Sequence, residues 1–457
     1  KNATKFNSDI SSWDTSSVEN MTQMFYNAKS FEQEIRTWSV LNVTNFNLMF
    51  TNADAFKVKY NLPDSPSKLE WLFYIDNIDY TGIAPVLNSR TALIDAIGLW
   101  ETNKTLALQV YGEINTWDVS QVTNMYLLFS SAPLFNDNIN NWDVSNVTSM
   151  TYMMRGCREF NQPLNKWNTS KVISMGGMFH GTKFNQDINT NVQNEGTDEK
   201  YIAWDVSNVI SMNGMLQDCT FNKPINKWNT SKVRDMGLMF MDSRMNQNLS
   251  QNTVVLSNGL SYTAWDVSSV TSMNQMFNTW SGSDETPFNN GAVDEFGNVV
   301  AQPQNALIWN TSSVTNMSYL FKNATKFNSD ISSWDTSSVT TMTQMFYNAE
   351  SFEQDIQYWS VPNVATFNSM FTDATAAKTA YEGRRGWDPI SGNVTSAFFW
   401  ASMITDDTIR GMLNDWFNDK TTAENVYGEI STWNTILVTD MSGLFDISQS
   451  TSIKNFN

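Results

Sequence analysis

The sequence predicts an α/β repeat protein in which coils of 24–25 residues, each a short strand plus a short helix, stack into a solenoid. Two observations predict this fold: tryptophan recurs at unbroken spacings of 24 or 25 residues, and Lys1–Val18 is identical to Lys322–Val339. A period in the twenties is typical of proteins in which one repeat buries its apolar face only against its neighbours. The tryptophans that anchor the repeat are Trp13, Trp38, Trp117, Trp142, Trp167, Trp204, Trp228, Trp265, Trp309, Trp334, Trp359 and Trp433.

Each coil divides into a strand, a corner and a short helix. Ile331 and Trp334 lie on a short extended run, where we place the strand through which stacked coils pair. The Asp or Asn after each tryptophan, with Ser two positions later, suits a turn that satisfies backbone donors at a corner. Val339, Met342 and Met345 follow at helical spacing, which predicts one apolar face of a short helix.

Two longer periods organise the coils. In the shorter of them, every second coil recurs, so that NKWNTSKV surrounds both Trp167 and Trp228. In the longer one, Leu93–Phe129 matches Ile409–Phe445, and each begins with an amphipathic segment followed by the string YGEI. Such helical modules suit the capping of open solenoid ends. The predicted domains are 1–57, the end of a repeat block; 58–110, a helical spacer module; 111–378, the main solenoid block; 379–426, a second helical spacer module; and 427–457, the start of the next block.

Three excursions interrupt the main block, at residues 189–203, 250–264 and 278–306. All three enter at the same point of the coil, so we expect them to project from one side of the solenoid. Asn258 and Gly259, between apolar residues, are typical of a β-hairpin turn. These two residues and Tyr262 are candidate contacts for a partner, although hairpins that only cover or stiffen an edge explain the excursions equally well.

Composition excludes several classes of function. The net charge of −18 disfavours nucleic acid as a partner, because the scattered Lys and Arg residues offer no basic patch against phosphate. No run of 18 or more apolar residues occurs, so we expect no membrane insertion within this segment. The high aromatic content of 13% argues against disorder.

The residues that usually carry enzyme chemistry are scarce. His180 is the single histidine and is expected on the surface, so catalytic triads and zinc sites are not expected. Cys157 and Cys219 occupy the same slot of the repeat with one full coil between them, which places them about 10 Å apart, beyond disulfide reach. They fit small buried filler better than a nucleophile. We therefore predict no catalytic residue, no cofactor and no enzyme activity.

Two weaker kinds of site follow from the sequence. The third excursion offers carboxylates as calcium candidates, and a secreted protein could carry sugars on asparagines outside the strict coil pattern. The calcium candidates are Asp284, Glu285, Asp294 and Glu295, and the glycosylation candidates are Asn103 and Asn393.

The repeat resembles that of the BspA-like leucine-rich-repeat surface proteins, the DUF285 repeat first noted in mycoplasma lipoproteins. The resemblance lies in WDVSNVTSM at Trp142–Met150, MTQMFYNA at Met342–Ala349 and FNQDI at Phe184–Ile188. It covers nearly the whole chain apart from the excursions and the two helical segments. It implies a right-handed leucine-rich-repeat-like solenoid on surface or secreted proteins of bacteria, algae, protists and large DNA viruses, with adhesion or unknown roles and no shared catalytic residues.

The exact recurrence of Lys1–Val18 at Lys322–Val339 suits periodic assembly. The leading hypothesis is a structural protein, a fibre or filament that is extracellular or lies on a cell or virion surface, with other copies of its own unit as partners. Both ends of the chain lie within repeats, so we expect a longer tandem array, and thirteen coils at roughly 4.8 Å predict a rod of about 60 Å. The alternative is a surface adhesin or receptor that binds a protein or glycan through the excursion face. An intracellular scaffold is a third option.

Overall fold

Irregular backbone, organised by turns, makes up most of the structure, with few short helices and two hairpins. The structure is a computed structural model that describes residues 1–35, 38, 43–60, 62–66, 87–280, 288–291, 306–384, 386–388, 390–399, 404, 406–427, 430–433, 435 and 438–445. It contains two compact units, Lys1–Ala84 and Pro85–Asn457. Each unit is described by itself below.

The regular elements lie mainly outside the repeats. In the described ranges, no helix is long and apolar enough to cross a membrane. The first unit contains α1 (Asp54–Tyr60). The second contains α2 (Arg90–Thr102), α3 (Lys104–Tyr111), β1 (Asn191–Gln193), β2 (Tyr201–Ala203), β3 (Asn252–Val255), β4 (Ser261–Ala264), α4 (Thr375–Ala380), α5 (Asp406–Asn418), α6 (Lys420–Tyr427) and short 3₁₀ turns at Ile114–Thr116, Ser396–Phe398 and Ile430–Thr432.

Backbone hydrogen bonds join each repeat to the next in parallel. The Thr148 N–H donates to the Thr123 carbonyl at 2.8 Å, and the Met150 N–H donates to the Ser174 carbonyl at 2.9 Å. Because these bonds link equivalent positions, the repeats lie side by side in register. The parallel bridges pair Asn20 with Asn45 in the first unit and, in the second, run through Asn124, Ser149, Ser174, Ser211, Asp235, Ser272, Asn316 and Thr341.

The short helix predicted within each coil is wrong in the described repeats. Residues 343–348, which fall in one such predicted helix, form consecutive turns. The Gln344 N–H donates to the Asn368 carbonyl and the Phe346 N–H to the Met370 carbonyl, both at 2.9 Å. A helix would use these donors within its own segment, so pairing with the next repeat replaces it. Gln344, with φ of 51°, supplies the left-handed backbone that the turns require.

The predicted strand position is also wrong. The Trp334 N–H donates to the Ile331 carbonyl at 3.1 Å, which closes a turn where we expected an extended run. Pairing between repeats occurs instead at Thr341, which bridges Asn316 just ahead of the first methionine of the repeat. Sequence spacing alone could not separate these two placements, because both leave the same apolar side chains pointing inward.

Tryptophan rings stack from repeat to repeat in the core. Neighbouring rings such as those of Trp309, Trp334 and Trp359 lie with centroids 5.6 to 6.3 Å apart and planes within 11° of parallel. The Trp334 indole N–H donates to the Leu307 carbonyl at 2.7 Å, and that of Trp359 donates to the Ile331 carbonyl at 3.2 Å. Each indole thus buries its ring and still satisfies its one donor.

Asparagine side chains form a second ladder between repeats. The Asn328 side chain accepts the Glu353 N–H at 3.1 Å, and the Asn328 N–H in turn donates to Asn289 Oδ1 at 2.8 Å. This bond explains the Asn that follows the first Phe of the consensus, because the amide oxygen replaces a missing backbone partner. In the second unit the ladder runs through Asn136, Asn161, Asn185, Asn222, Asn246, Asn289 and Asn328.

The helix pair α2–α3 packs on the first repeats of the second unit. The Trp100 ring meets Trp117 edge-on at 5.6 Å, and its indole N–H donates to Asp137 Oδ2 at 2.7 Å. Lys104 Nζ reaches the other oxygen of Asp137 and lies 4.6 Å from the Trp100 ring centroid. In the pair α5–α6, Lys420 lies over the Trp416 ring in the same way, 5.3 Å from its centroid. Helices therefore occur in both predicted spacers, while the domain boundaries stay predictions.

Candidate functional site

Two hairpins stand where the first two excursions were expected. Hairpin A is the β1–β2 pair, in which Asn191 lies opposite Ala203. Hairpin B is the β3–β4 pair, in which Asn252 lies opposite Ala264. Gly259, with φ of 85°, forms the turn of hairpin B. The hairpin predicted from the Asn-Gly pair is confirmed.

A tyrosine hydroxyl fastens each hairpin to the repeat before it. The Tyr201 hydroxyl donates to the Lys166 carbonyl at 2.6 Å, and the Tyr262 hydroxyl donates to the Lys227 carbonyl. The two bonds span the same sequence separation, so they are equivalent contacts in successive copies of the longer repeat. They explain the tyrosine two positions before each AWDVS string, a signal that our sequence reasoning did not use for Tyr201.

The two hairpins stack on each other. Val192 and Ile202, which pair across hairpin A, pack against the buried cluster of Val254, Leu256 and Ala264 in hairpin B. Burial raises the pKa of Tyr262 to about 12, because the ionised phenol would lose its hydration there. Part of the apolar surface of the two hairpins is therefore buried between them, while Val255 and Leu260 stay exposed.

The three predicted contact residues each have a structural role in hairpin B. Asn258 Oδ1 accepts the Leu260 N–H at 3.0 Å, which shapes the turn. Gly259 supplies the left-handed backbone of that turn, and Tyr262 fastens the hairpin. Their role in binding a partner stays a prediction.

We expect Tyr262→Phe to destabilise hairpin B by about 1 kcal/mol at neutral pH, because the bond to the Lys227 carbonyl is lost. The pKa of Tyr262 is raised by burial, so the unfolded chain ionises first as the pH rises above about 10. The stability that the neutral phenol contributes is complete below pH 10 and lost toward pH 12. Urea unfolding at pH 8 and pH 11 should show a smaller pH dependence in the variant. Equal pH dependence in wild type and variant would contradict this role, and Tyr126→Phe, at a 41% exposed tyrosine, is the control.

A groove lies beneath each hairpin. The first groove, beneath hairpin A, has a volume of about 460 Å³ and includes Asp143 and Tyr201 in its lining. The second groove, beneath hairpin B, has a volume of about 190 Å³ and includes the corresponding Asp205 and Tyr262. Ile202 of hairpin A lines the second groove. Among the described residues, no hairpin strand takes the corresponding place over the first groove, which is therefore the more open one.

A family model described as "Mycoplasma protein of unknown function, DUF285" matches residues 1–66, 97–202, 195–263, 251–302, 293–402 and 411–457. The chain belongs to the DUF285 family. No curated protein and no solved structure matches the chain. The DUF285 match extends across both hairpins, so the excursions lie inside the family's repeat region. Because the family description states no function, a function has to be argued from the geometry of the repeats.

The cysteines and the histidine occupy ordinary positions in the DUF285 repeats. Cys157 and Cys219 are free and buried, as predicted for filler. Burial raises the pKa of the Cys157 thiol to about 12 and that of Cys219 to about 11, which keeps both unreactive at neutral pH. His180 is half-buried, not fully on the surface as expected. Burial lowers the pKa of its imidazole, and the positive charge of nearby Arg155 lowers it further.

The structure gives no ligand-binding geometry for the predicted calcium and glycosylation sites in the described residues. The calcium candidates Asp284, Glu285, Asp294 and Glu295 lie outside the described residues, as does most of the third excursion. Within the described ranges, no group of three or more His, Cys, Asp or Glu side chains could hold a metal ion. Asn103 and Asn393 are both exposed, and their side-chain oxygens accept the N–H groups of Leu106 and Ser369. Their glycosylation stays a prediction.

Proposed function

We propose that the DUF285 repeats stack as a right-handed, leucine-rich-repeat-like solenoid and that tandem units, each as long as Lys1–Phe321, build a non-enzymatic structural fibre outside the cell or on a virion surface. Backbone hydrogen bonds, stacked indole rings and asparagine side chains all link each repeat to its neighbours. Such nearest-neighbour contact is typical of proteins that extend in one dimension.

One observation carries the proposal: the same 18-residue sequence occurs in two settings. Trp334 is 3% exposed, because the preceding repeat contributes the Trp309 ring and the Leu307 carbonyl. Trp13, in the identical sequence, stacks on Trp38 and, among the described residues, on no other ring, and it is 52% exposed. The repeat therefore carries an apolar face whose complement is another repeat, which is the property that a growing stack needs.

The helical modules support continuity between blocks. Ile409, Met412 and Leu413 of α5 form a buried cluster with Ile404. Partly buried side chains pack against this cluster from both directions along the chain: Tyr358, from the last repeats of the main block, and Phe417, Tyr427, Ile430, Trp433, Val438 and Leu444, from the module and the segment after it. A module that contacts the repeats before and after it can transmit the stack from one block to the next.

The hairpins fit a bracing role within this fibre. Val192 and Ile202 of hairpin A pack against the buried cluster of hairpin B, and two tyrosine hydroxyls fix the hairpins to the repeats beneath. The far side of hairpin B carries three hydroxyl-bearing residues, Thr253, Ser261 and Thr263, and one exposed apolar residue, Val255. This packing favours a stiffened edge over a hairpin surface held free for a protein partner.

Extension of the stack can be tested by fusing a second copy of residues 306–321 directly before Lys1. The fusion recreates the natural junction, because Lys1 begins the sequence that follows Phe321. We expect amide exchange in residues 1–31 to slow at least tenfold, as the added repeat covers Trp13. The matched control carries Trp309→Ala in the added segment and should recover less than half of that protection. Unchanged exchange in both fusions would contradict the proposal.

A further inference from the structure

The first groove is more polar than the second. Glu199 lines the first groove, while Leu260, at the corresponding position of the next excursion, lines the second. Leu256 and Ile202 complete the apolar wall of the second groove. Apart from Trp142, Val144 and Tyr201, the lining of the first groove is polar and includes Lys166, so the groove suits an occupant that forms hydrogen bonds better than an apolar hairpin.

We propose that the first groove binds a neutral saccharide of one or two rings. Sugar hydroxyls both donate and accept hydrogen bonds, and the groove presents matching groups. The carboxylates of Asp143 and Glu199 are acceptors, and the Lys166 ammonium is a donor. Tyr201 supplies an aromatic ring in the same lining. The volume of about 460 Å³ lies within the range of small-molecule sites.

The groove is held in shape before any ligand arrives. The Tyr201 hydroxyl is fixed on the Lys166 carbonyl at 2.6 Å, and Lys166 Nζ donates to Asn141 Oδ1 at 3.0 Å. Asp143 Oδ1 accepts the Ser145 N–H at 2.9 Å. Since these three side chains lose little freedom on binding, weak polar contacts with them can yield measurable affinity.

Charge selects among saccharides. Asp143 and Glu199 outnumber the single Lys166 ammonium in the lining. The Asp143 carboxylate lies close enough to add to the burial that raises the pKa of Tyr201. Sulfated, phosphorylated or carboxylated sugars would therefore meet repulsion, whereas neutral sugars would not. This inference goes beyond the fibre proposal and does not depend on it.

The test uses the full chain on immobilised neutral oligosaccharides ending in galactose, glucose, mannose or N-acetylglucosamine, with sulfated heparin oligosaccharides alongside. We expect at least one neutral sugar to bind and the heparin oligosaccharides not to bind. Asp143→Asn and Glu199→Gln should each weaken binding by about tenfold or more, the effect of losing a charged hydrogen-bond acceptor. Asn168 occupies the position of Asp143 in the next repeat, so the first variant should fold.

Asp205→Asn is the matched control, because Asp205 holds the same position in the smaller second groove. It should leave saccharide binding unchanged. Failure of every neutral sugar to bind at millimolar concentration would overturn the proposal. Preference for heparin oligosaccharides, or equal weakening by Asp205→Asn and Asp143→Asn, would overturn it as well.

Discussion

Trp334→Ala should destabilise the surrounding repeats by about 3–5 kcal/mol, the usual cost of truncating a buried tryptophan. The change opens a cavity between Trp309 and Trp359, whose rings stack on either side at 5.6 and 6.3 Å. It also leaves the Leu307 carbonyl without the indole N–H that it accepts. Native-state amide exchange of residues 322–356 should report this loss directly.

Trp13→Ala is the matched comparison, since its neighbours in sequence are identical. We expect a cost of about 1–2 kcal/mol, because a ring that is 52% exposed gains less from burial than one that is 3% exposed. Exchange in residues 1–35 measures it in the same experiment. Equal costs at the two tryptophans would show that stacking between repeats does not set the stability of either.

Asn328→Ala should cost about 2 kcal/mol through loss of the asparagine ladder. Asn328 is 2% exposed, and its side chain accepts both the Glu353 N–H at 3.1 Å and the Gln354 side-chain amide at 2.9 Å. Alanine leaves these donors without a partner in a site that water reaches poorly. Faster amide exchange at Glu353 is the expected measurement.

Asn7→Ala provides the control for the ladder. Asn7 accepts the Glu32 N–H at 3.0 Å and the Gln33 amide at 3.0 Å, which repeats the Asn328 geometry. It is only partly buried, so water can replace the lost acceptor and the cost should stay below about 1 kcal/mol. If both substitutions proved neutral, the ladder would be a consequence of stacking rather than a support for it.

The periods in the sequence suffice to locate the repeats, the core tryptophans and hairpin B. Buried filler at Cys157 and Cys219 also follows from their shared slot in the repeat. The repeats, the tryptophans and the cysteine slots depend on spacing, and hairpin B depends on its Asn-Gly turn pair; both signals are visible in one sequence. The same holds for the amphipathic segments that form α2 and α5.

The internal conformation of a repeat could not be obtained this way. Met342, Met345 and Phe346 are all fully buried whether their segment forms a helix or a chain of turns. The two conformations differ in the acceptor of the Phe346 N–H, and this acceptor is the Met370 carbonyl of the next repeat. Likewise, the sequence suggests that Asn328 is a loop residue, and only the structure shows that its side chain accepts the Glu353 N–H of the next repeat.

The open first groove was also beyond sequence reasoning. It exists because hairpin A leans over the preceding repeat, fastened by Tyr201 to Lys166, which lies far from it in the sequence. The tyrosine recurs ahead of each AWDVS string, but its acceptor is a backbone carbonyl, which carries no sequence signal. The polar lining follows from Glu199 standing where hairpin B has Leu260, a contrast that matters only once the grooves are seen.

Negative-stain electron microscopy of a tandem array of these units tests the fibre most directly. We expect a straight filament with an axial repeat of roughly 60 Å, from about ten stacked repeats at ~4.8 Å plus one helix pair ~10 Å across. Filament length should grow in proportion to the number of tandem units. Compact particles whose length does not increase with unit number would contradict the account.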